Sequence, residues 1–191
     1  MKTLLTFLLT VCIGIAGVGF TTAIKEPKPG DKKIKWMTIQ EAFAATQKKP
    51  KKIFVDVYTD WCGWCKVMDR NTFTNPYIVD FMNENYYSVK LDAEGKEDIT
   101  LGGRTYKSLG NVHELAAAML QGKMSYPTTV YLNEKMELIQ PVPGYLEPRM
   151  FHQITTYFAG NFHTKESFDQ YKVGTYVKEF QAKLPNPSAG Q

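Results

Sequence analysis

The chain has 191 residues, of which 43% are hydrophobic and 22% charged, with a net charge of +4. That profile fits one globular domain with attachments, large enough to bury a core without disulfide staples, and excludes a disordered or fibrous chain. The positive charge is spread over many lysines. The densest run, KKPKK at 48–52, has no interleaved aromatics, so a solvated loop is expected there and no nucleic-acid partner.

Lys2 precedes TLLTFLLTVCIGIAGVGFTTAI, which carries no charge until Lys25. One positive residue, an apolar stretch and small residues at 21–23 predict a secretory signal over residues 1–23, cleaved after about Ala23. An uncleaved anchor over residues 3–24 is the alternative, because about 22 residues can span a bilayer; Gly14, Gly17 and Gly19 dilute its hydrophobicity. Cleavage would remove Cys12 and leave only Cys62 and Cys65, in a compartment where disulfides persist. The terminal NPSAGQ carries no retention signal, and Pro187 blocks the glycosylation acceptor at Asn186. The expected location is therefore periplasmic or secreted.

A Lys/Pro-rich linker (24–33) leads into the expected domain, residues 34–160. KIKWM reads as a short strand. TIQEAFAATQKK follows as a helix with a Thr38/Glu41 capping box and Ile39, Ala42, Phe43 and Thr46 on its inner face. KIFVDVY (52–58) is a strand buried on both faces. A helix starts near Cys62 and runs to about Arg70, and another starts at Pro76 with Asn75 as its cap. YYSVKLD is the next strand, parallel to the previous one because helix separates them.

Beyond it, ITLGGRTY predicts a small hairpin around Gly102-Gly103, and NVHELAAAMLQ a helix. PTTVYLN and ELIQPVPGY predict two strands joined by a tight turn at 133–135. EPRMFHQITTYFAG is a helix with Met150, Phe151, Ile154 and Phe158 inward. Residues 161–191 are expected to add a C-terminal helix over about 165–184, with Val173, Tyr176, Val177, Phe180 and Leu184 on one stripe. The order implies an α/β fold with a central mixed sheet and helices on both faces.

The chemistry-bearing stretch is VDVYTDWCGWCK (55–66). Two cysteines cannot close a tetrahedral zinc site, and His113, His152 and His163 show no ligand spacing, so no metal is expected. A structural disulfide across two residues would restrain little chain. Redox chemistry remains. A helix N-terminus stabilises a thiolate, which makes Cys62 the nucleophile and Cys65, one turn inside, the resolving thiol. Asp56 has only apolar neighbours in its strand. Burial would raise its pKa and suit it to proton transfer near neutrality, unless the strand lies at an edge with Asp56 solvated. Lys90 occupies a similar spot on the presumed neighbouring strand, either pairing with Asp56 or exposed.

The same segment resembles the thioredoxin active site: the acid six positions before the first cysteine, the tryptophan directly before it, the lysine after the second. SYPTTVYL resembles that family's cis-proline segment, and Gly144 the glycine after its last strand. Within the superfamily, YTDWCGWCKVMDRNTFTNPYI is most similar to periplasmic thioredoxin-like domains such as that of the bacterial transmembrane disulfide reductase. The chain departs from thioredoxin in having Gly63-Trp64 for Gly-Pro, an insertion before Pro127, and a C-terminal extension; it also lacks that reductase's membrane spans.

The resemblance implies a thioredoxin-like fold, a cis Pro127 shaping a groove beside the sulfurs, and backbone pairing of Tyr126 with a substrate strand. Trp61, Gly63 and Trp64 would complete the substrate-binding face, the tryptophans docking or simply packing. The implied activity is an extracytoplasmic thiol–disulfide oxidoreductase that uses no cofactor. Protein thiols and disulfides would be its substrates, and a membrane or periplasmic protein its redox partner. Because Trp64 adds no positive charge between the cysteines, the lean is towards reductase or isomerase. A peptide-binding or chaperone module, and a dedicated reductant of metal- or haem-ligand thiols, are the alternatives.

Overall fold

The strand KIFVDVY explains the architecture. It is apolar on both sides of its pleat, so it must lie in the middle of a sheet covered on both faces. The computed structural model describes residues 32–181 and 184. The expected signal over 1–23, most of the linker and the last residues lie outside the described residues. Among those described, no helix is long and apolar enough to cross a membrane.

The elements run β1 (Trp36–Met37), α1 (Ile39–Lys48), β2 (Lys52–Tyr58), α2 (Gly63–Asn71), α3 (Pro76–Asn85) and β3 (Tyr86–Asp92). Two small hairpins follow, β4 (Ile99–Leu101) with β5 (Arg104–Tyr106) and β6 (Ser108–Leu109) with β7 (Val112–His113). Then come α4 (Glu114–Met119), β8 (Thr128–Leu132), β9 (Leu138–Pro143) and α5 (Pro148–Ala159). A 3-10 turn (Phe162–Thr164), α6 (Phe168–Val173) and α7 (Thr175–Glu179) complete the described chain.

The sheet order is β1-β3-β2-β8-β9. β1, β3 and β2 are parallel, whereas β8 and β9 are antiparallel to their neighbours. This is the mixed sheet of a thioredoxin-like fold. β2 is central, so Asp56 does not lie at an edge.

Alternation along β2 splits the core. Ile53, Val55 and Val57 join Ile39 and Ala42 of α1 and Leu115 and Ala116 of α4 on one face. Phe54 joins Met68 of α2, Ile78 and Met82 of α3, and Phe151 and Ile154 of α5 on the other. Caps set the helix starts. Thr38 and Glu41 make the reciprocal capping box of α1, and Asn75 caps α3 with Pro76 behind it. The turn between β8 and β9 is held by Asn133 Oδ1, which accepts from the Lys135 and Glu137 amides, both at 2.9 Å.

Several expectations need correction. The KKPKK run is not wholly a solvated loop: Lys52 opens β2, is buried, and pairs with Glu134 at 2.6 Å. Phe43 is only half-buried, and so is Met150, which nonetheless packs against the core as expected. The helix expected from Asn111 begins at Glu114, because Val112 and His113 pair with Leu109 and Ser108.

The single C-terminal helix is two short ones, broken at Gly174. The stripe is broken with it: Val173 and Val177 are exposed, while Tyr171 and Tyr176 are buried against α5. Hydrogen bonds from Tyr171 Oη to Thr156 Oγ1 (2.7 Å) and between Tyr176 Oη and His152 Nδ1 (2.9 Å) fix that packing. The extension thus covers the outer side of α5, which is why Tyr157, Thr156 and His152 are buried as well as its expected inner face.

Candidate active site

The parallel strands end where the cysteine loop begins. β2 stops at Tyr58, the Thr59 carbonyl accepts from the Cys62 amide (3.1 Å), and Cys62 caps α2. Its Sγ accepts from the Cys65 amide at 3.1 Å, so the cap of the helix is itself a sulfur of the motif. That N–H and the positive end of the helix favour negative charge on this atom over Cys65 Sγ, a full turn in. The two cysteines form a disulfide, and both are buried, at 4% and 3% exposure.

Pro127 lies one residue beyond the Val57–Thr128 register pair, at this same end of the sheet. The Tyr126–Pro127 peptide bond is cis. The Gly144 amide donates to the Pro127 carbonyl at 2.8 Å, tying the loop after β9 to the proline loop; Gly144 has φ +98°, open to glycine at no steric cost.

The two tryptophans of the motif project from this end, Trp61 at 66% and Trp64 at 61% exposure. Trp61 meets the Tyr126 ring edge-on at 5.8 Å, and Trp64 meets the Tyr145 ring at 5.4 Å. Gly63 between the cysteines is exposed.

Asp56 is 1% exposed, six residues ahead of Cys62 and on the face of β2 shared with Phe54. Its register partner on β3 is Lys90, whose Nζ donates to Asp56 Oδ2 at 2.6 Å. Burial pushes the Asp56 carboxyl up to about 6, against the charge and hydrogen bond of Lys90 and helped by the charge of Asp69. Lys90 is held above its usual value: burial acts to lower it, but the Asp56 and Asp69 carboxylates outweigh that. Its Nζ also lies over the Trp36, Tyr58 and Phe73 rings at 5.1 to 5.3 Å.

Two members of the site were not singled out from sequence. Asp69 shares the Lys90 ammonium with Asp56. Its signal was its place on α2, four residues after Cys65 and so on the same helix face. Tyr145 supports Trp64, and its only mark in the sequence was adjacency to Gly144.

The histidines stand apart from the cysteines. His113 caps α4, accepting from the Leu115 amide at 3.1 Å, and its Nε2 meets the Glu97 carbonyl at 3.0 Å. His152, on α5 itself, meets Tyr176, and His163 packs against Phe158 of the same helix. Among the described residues, no group of three or more His, Cys, Asp or Glu is placed to hold a metal ion.

Known proteins resemble this chain in fold and, over part of its length, in sequence. A solved thioredoxin-fold protein from Helicobacter pylori superposes with TM-score 0.52 at 13% identity, over 73% of this chain and 96% of that one. A structure described as DsbH oxidoreductase gives TM-score 0.50 at 14% identity, over 71% and 91%. Identities this low show likeness of fold alone.

In sequence, the chain is 40% identical over 60 residues to spermatogenesis-associated protein 20 of Rattus norvegicus and 38% to that of Homo sapiens. Those residues are 31% of this chain but only 8% of each relative's length. A family model covers far more, matching residues 28–172. The chain belongs to that family, Thioredox_DsbH, described as "Protein of unknown function, DUF255", within the thioredoxin-like superfamily.

Proposed function

We propose that the protein is a thiol–disulfide oxidoreductase that acts on protein disulfides outside the cytoplasm, as a reductase or isomerase. The observation that carries this reading is Cys62 Sγ at the cap of α2, accepting the Cys65 amide, with Pro127 at the same end of the sheet. In the reduced form, the Cys62 thiolate attacks one sulfur of a substrate disulfide. A Cys62–substrate S–S bond forms, the substrate S–S bond breaks, and the released thiolate takes a proton.

Cys65 then loses its proton and attacks Cys62 Sγ. The Cys62–Cys65 bond forms and the second substrate thiolate leaves. Two electrons have passed to the substrate, whose two released thiolates are protonated by the proton given up by Cys65 and one from solvent. In this reading Asp56, buried in β2 with a carboxyl titrating near 6, is the acceptor of the Cys65 proton. A partner dithiol in the same compartment restores the reduced pair. The extracytoplasmic setting is supported by the signal-like segment at residues 1–23.

The reductase or isomerase direction is supported by the absence of a cationic side chain between the cysteines, since positive charge there would stabilise the reduced form and make a stronger oxidant. Cys65→Ala tests the chemistry, because the intermediate on Cys62 can no longer be resolved. Expressed in its own compartment, acid-trapped and run without reductant, this variant should show adduct bands that Cys62→Ala lacks. Equal, sparse bands from both would leave a peptide-binding module in place of an oxidoreductase.

A further inference from the structure

The two oxygens of Asp56 are treated unequally. Oδ2 accepts from Lys90 Nζ, whereas Oδ1 is buried and has no hydrogen-bond partner among the described residues. An oxygen in that position can take up negative charge only if a donor reaches it. Lys90 arrives from β3, on one side of β2. On the other side lies β8, and there the residue directly opposite Asp56 is Thr129.

β8 is buried along its whole length, where apolar side chains would be the ordinary choice. On the face it shares with Asp56 it carries two hydroxyls instead, Thr129 and, two residues on, Tyr131. Both are 0% exposed. Side chains directly opposite across a ladder have their Cβ atoms ~5 Å apart, so a turn about χ1 brings the Thr129 hydroxyl within reach of Oδ1. What it leaves is weak: Oγ1 donates to the Val142 carbonyl at a long 3.4 Å. Tyr131 Oη is also buried without a partner among the described residues, beside Thr129 and within the field of Asp56. Burial holds that phenol protonated, so it acts as a donor. The other groups facing Asp56 are Lys90 of β3, Asp69 of α2 and Tyr58 of β2 itself.

A threonine hydroxyl both donates and accepts, which suits it to either state of a carboxyl. We propose that Thr129 is a positioning residue for Asp56: its hydroxyl donates to Oδ1 when the carboxyl is ionised and accepts from Oδ1–H when it is protonated, with Tyr131 Oη donating to Thr129 from behind. In the protonated state Thr129 returns its own proton to the Val142 carbonyl. The proton leaving Cys65 thus ends on Oδ1, and no electrons move in that step. The proposal deepens the oxidoreductase reading above, but the hydrogen bond itself can be tested without it.

Thr129→Val keeps the shape and deletes the hydroxyl. In the oxidised full-length protein, where the cysteines are bonded to each other, the carboxyl carbon resonance of Asp56 is followed against pH. Loss of a hydrogen bond to the charged form should move the midpoint of Thr129→Val up by about one pH unit. Thr129→Ser, which keeps the hydroxyl, should return it to the wild-type value, and Tyr131→Phe should move it up by less. If Thr129→Val does not give a folded far-UV spectrum, Thr129→Ala is expected to show the same shift in its place.

The reduced proteins are then mixed with oxidised glutathione, and release of the second glutathione from the Cys62 adduct is timed across the same pH range. Its acid limb should move with the Asp56 midpoint in each variant. An unmoved midpoint in the hydroxyl-deletion variant, or a Thr129→Ser midpoint that stays with Thr129→Val, would overturn the hydrogen bond and leave the exchange chemistry standing. If the reduced wild type releases no second glutathione, the oxidoreductase reading fails, and the titration still decides the role of Thr129.

Discussion

Lys90 stands directly opposite Asp56 in the register of two parallel strands and places its ammonium 2.6 Å from Asp56 Oδ2. The same ammonium holds Asp69 on the helix that begins at the cysteines. One cation thus ties a buried carboxylate to α2. Asp56 Oδ1 is buried without a hydrogen-bond partner among the described residues. Even so paired, Asp56 keeps its proton up to about pH 6, because burial outweighs the cation.

That gives a stability prediction with a definite sign. The Asp56 pKa is raised on folding, from 3.8 to about 6. The stability contributed by its neutral form is therefore full below pH 3.8 and is lost as pH rises through about 6. Asp56→Asn, which never ionises, should gain on the wild type over that window by up to about 3 kcal/mol. Urea unfolding at pH 4 and pH 8 checks it. A difference that does not grow with pH would mean Asp56 is not held neutral.

Lys90 and Asp69 act on Asp56 in opposite directions, so their removal should shift its titration oppositely. Lys90→Met removes the charge and hydrogen bond that favour the carboxylate and should move the titration up. Asp69→Asn removes a like charge and should move it down. The carboxyl carbon resonance of Asp56, followed against pH in each variant, reads this directly. If Asp56 serves in exchange, the acid limb of the pH–rate profile should follow the same order.

The C-terminal extension should be a load on stability and not on chemistry. Tyr171 is fully buried among Tyr157, Phe162 and Phe168, away from the cysteines. Tyr171→Ala should destabilise by about 3–5 kcal/mol, as large aromatic truncations do. Tyr171→Phe, losing only the bond to Thr156, should cost about 1 kcal/mol. Denaturant midpoints measure both. A midpoint unchanged in Tyr171→Ala would show that the extension is not packed as described.

His113 is predicted to hold structure, as the cap of α4 and the partner of the Glu97 carbonyl, and to take no part in the chemistry. His113→Ala should cost about 1 kcal/mol for the lost N-cap of α4. Single-turnover reduction rates at pH 7 should match the wild type, and zinc should bind neither form with a defined stoichiometry. A changed rate would connect the residue 93–123 insertion to the active end of the sheet.

Local grammar determined much of this protein. The continuous apolar run at 52–58 pointed to a strand buried on both faces, and the caps at Thr38 and Asn75 with Pro76 set helix starts one residue from where they were expected or nearer. The spacing of Cys62 and Cys65 after that strand marked the end of the sheet where the candidate site lies, and the apolar neighbours of Asp56 marked a buried acid. These features are legible because the interactions that enforce them span a few residues.

What only the tertiary structure decided involves partners distant in the chain. Asp69 meets Asp56 through Lys90, each on a different element. Tyr145 meets Trp64 from a loop 81 positions on, by the numbering of the pair. Lys52 is buried because Glu134 arrives from the far end of β8. The tail breaks at Gly174 because Tyr171 and Tyr176 find partners on α5 that no helical stripe would reach. A side chain's neighbours across a sheet or between loops are set by register and packing, and neither is written in the spacing of residues along one segment.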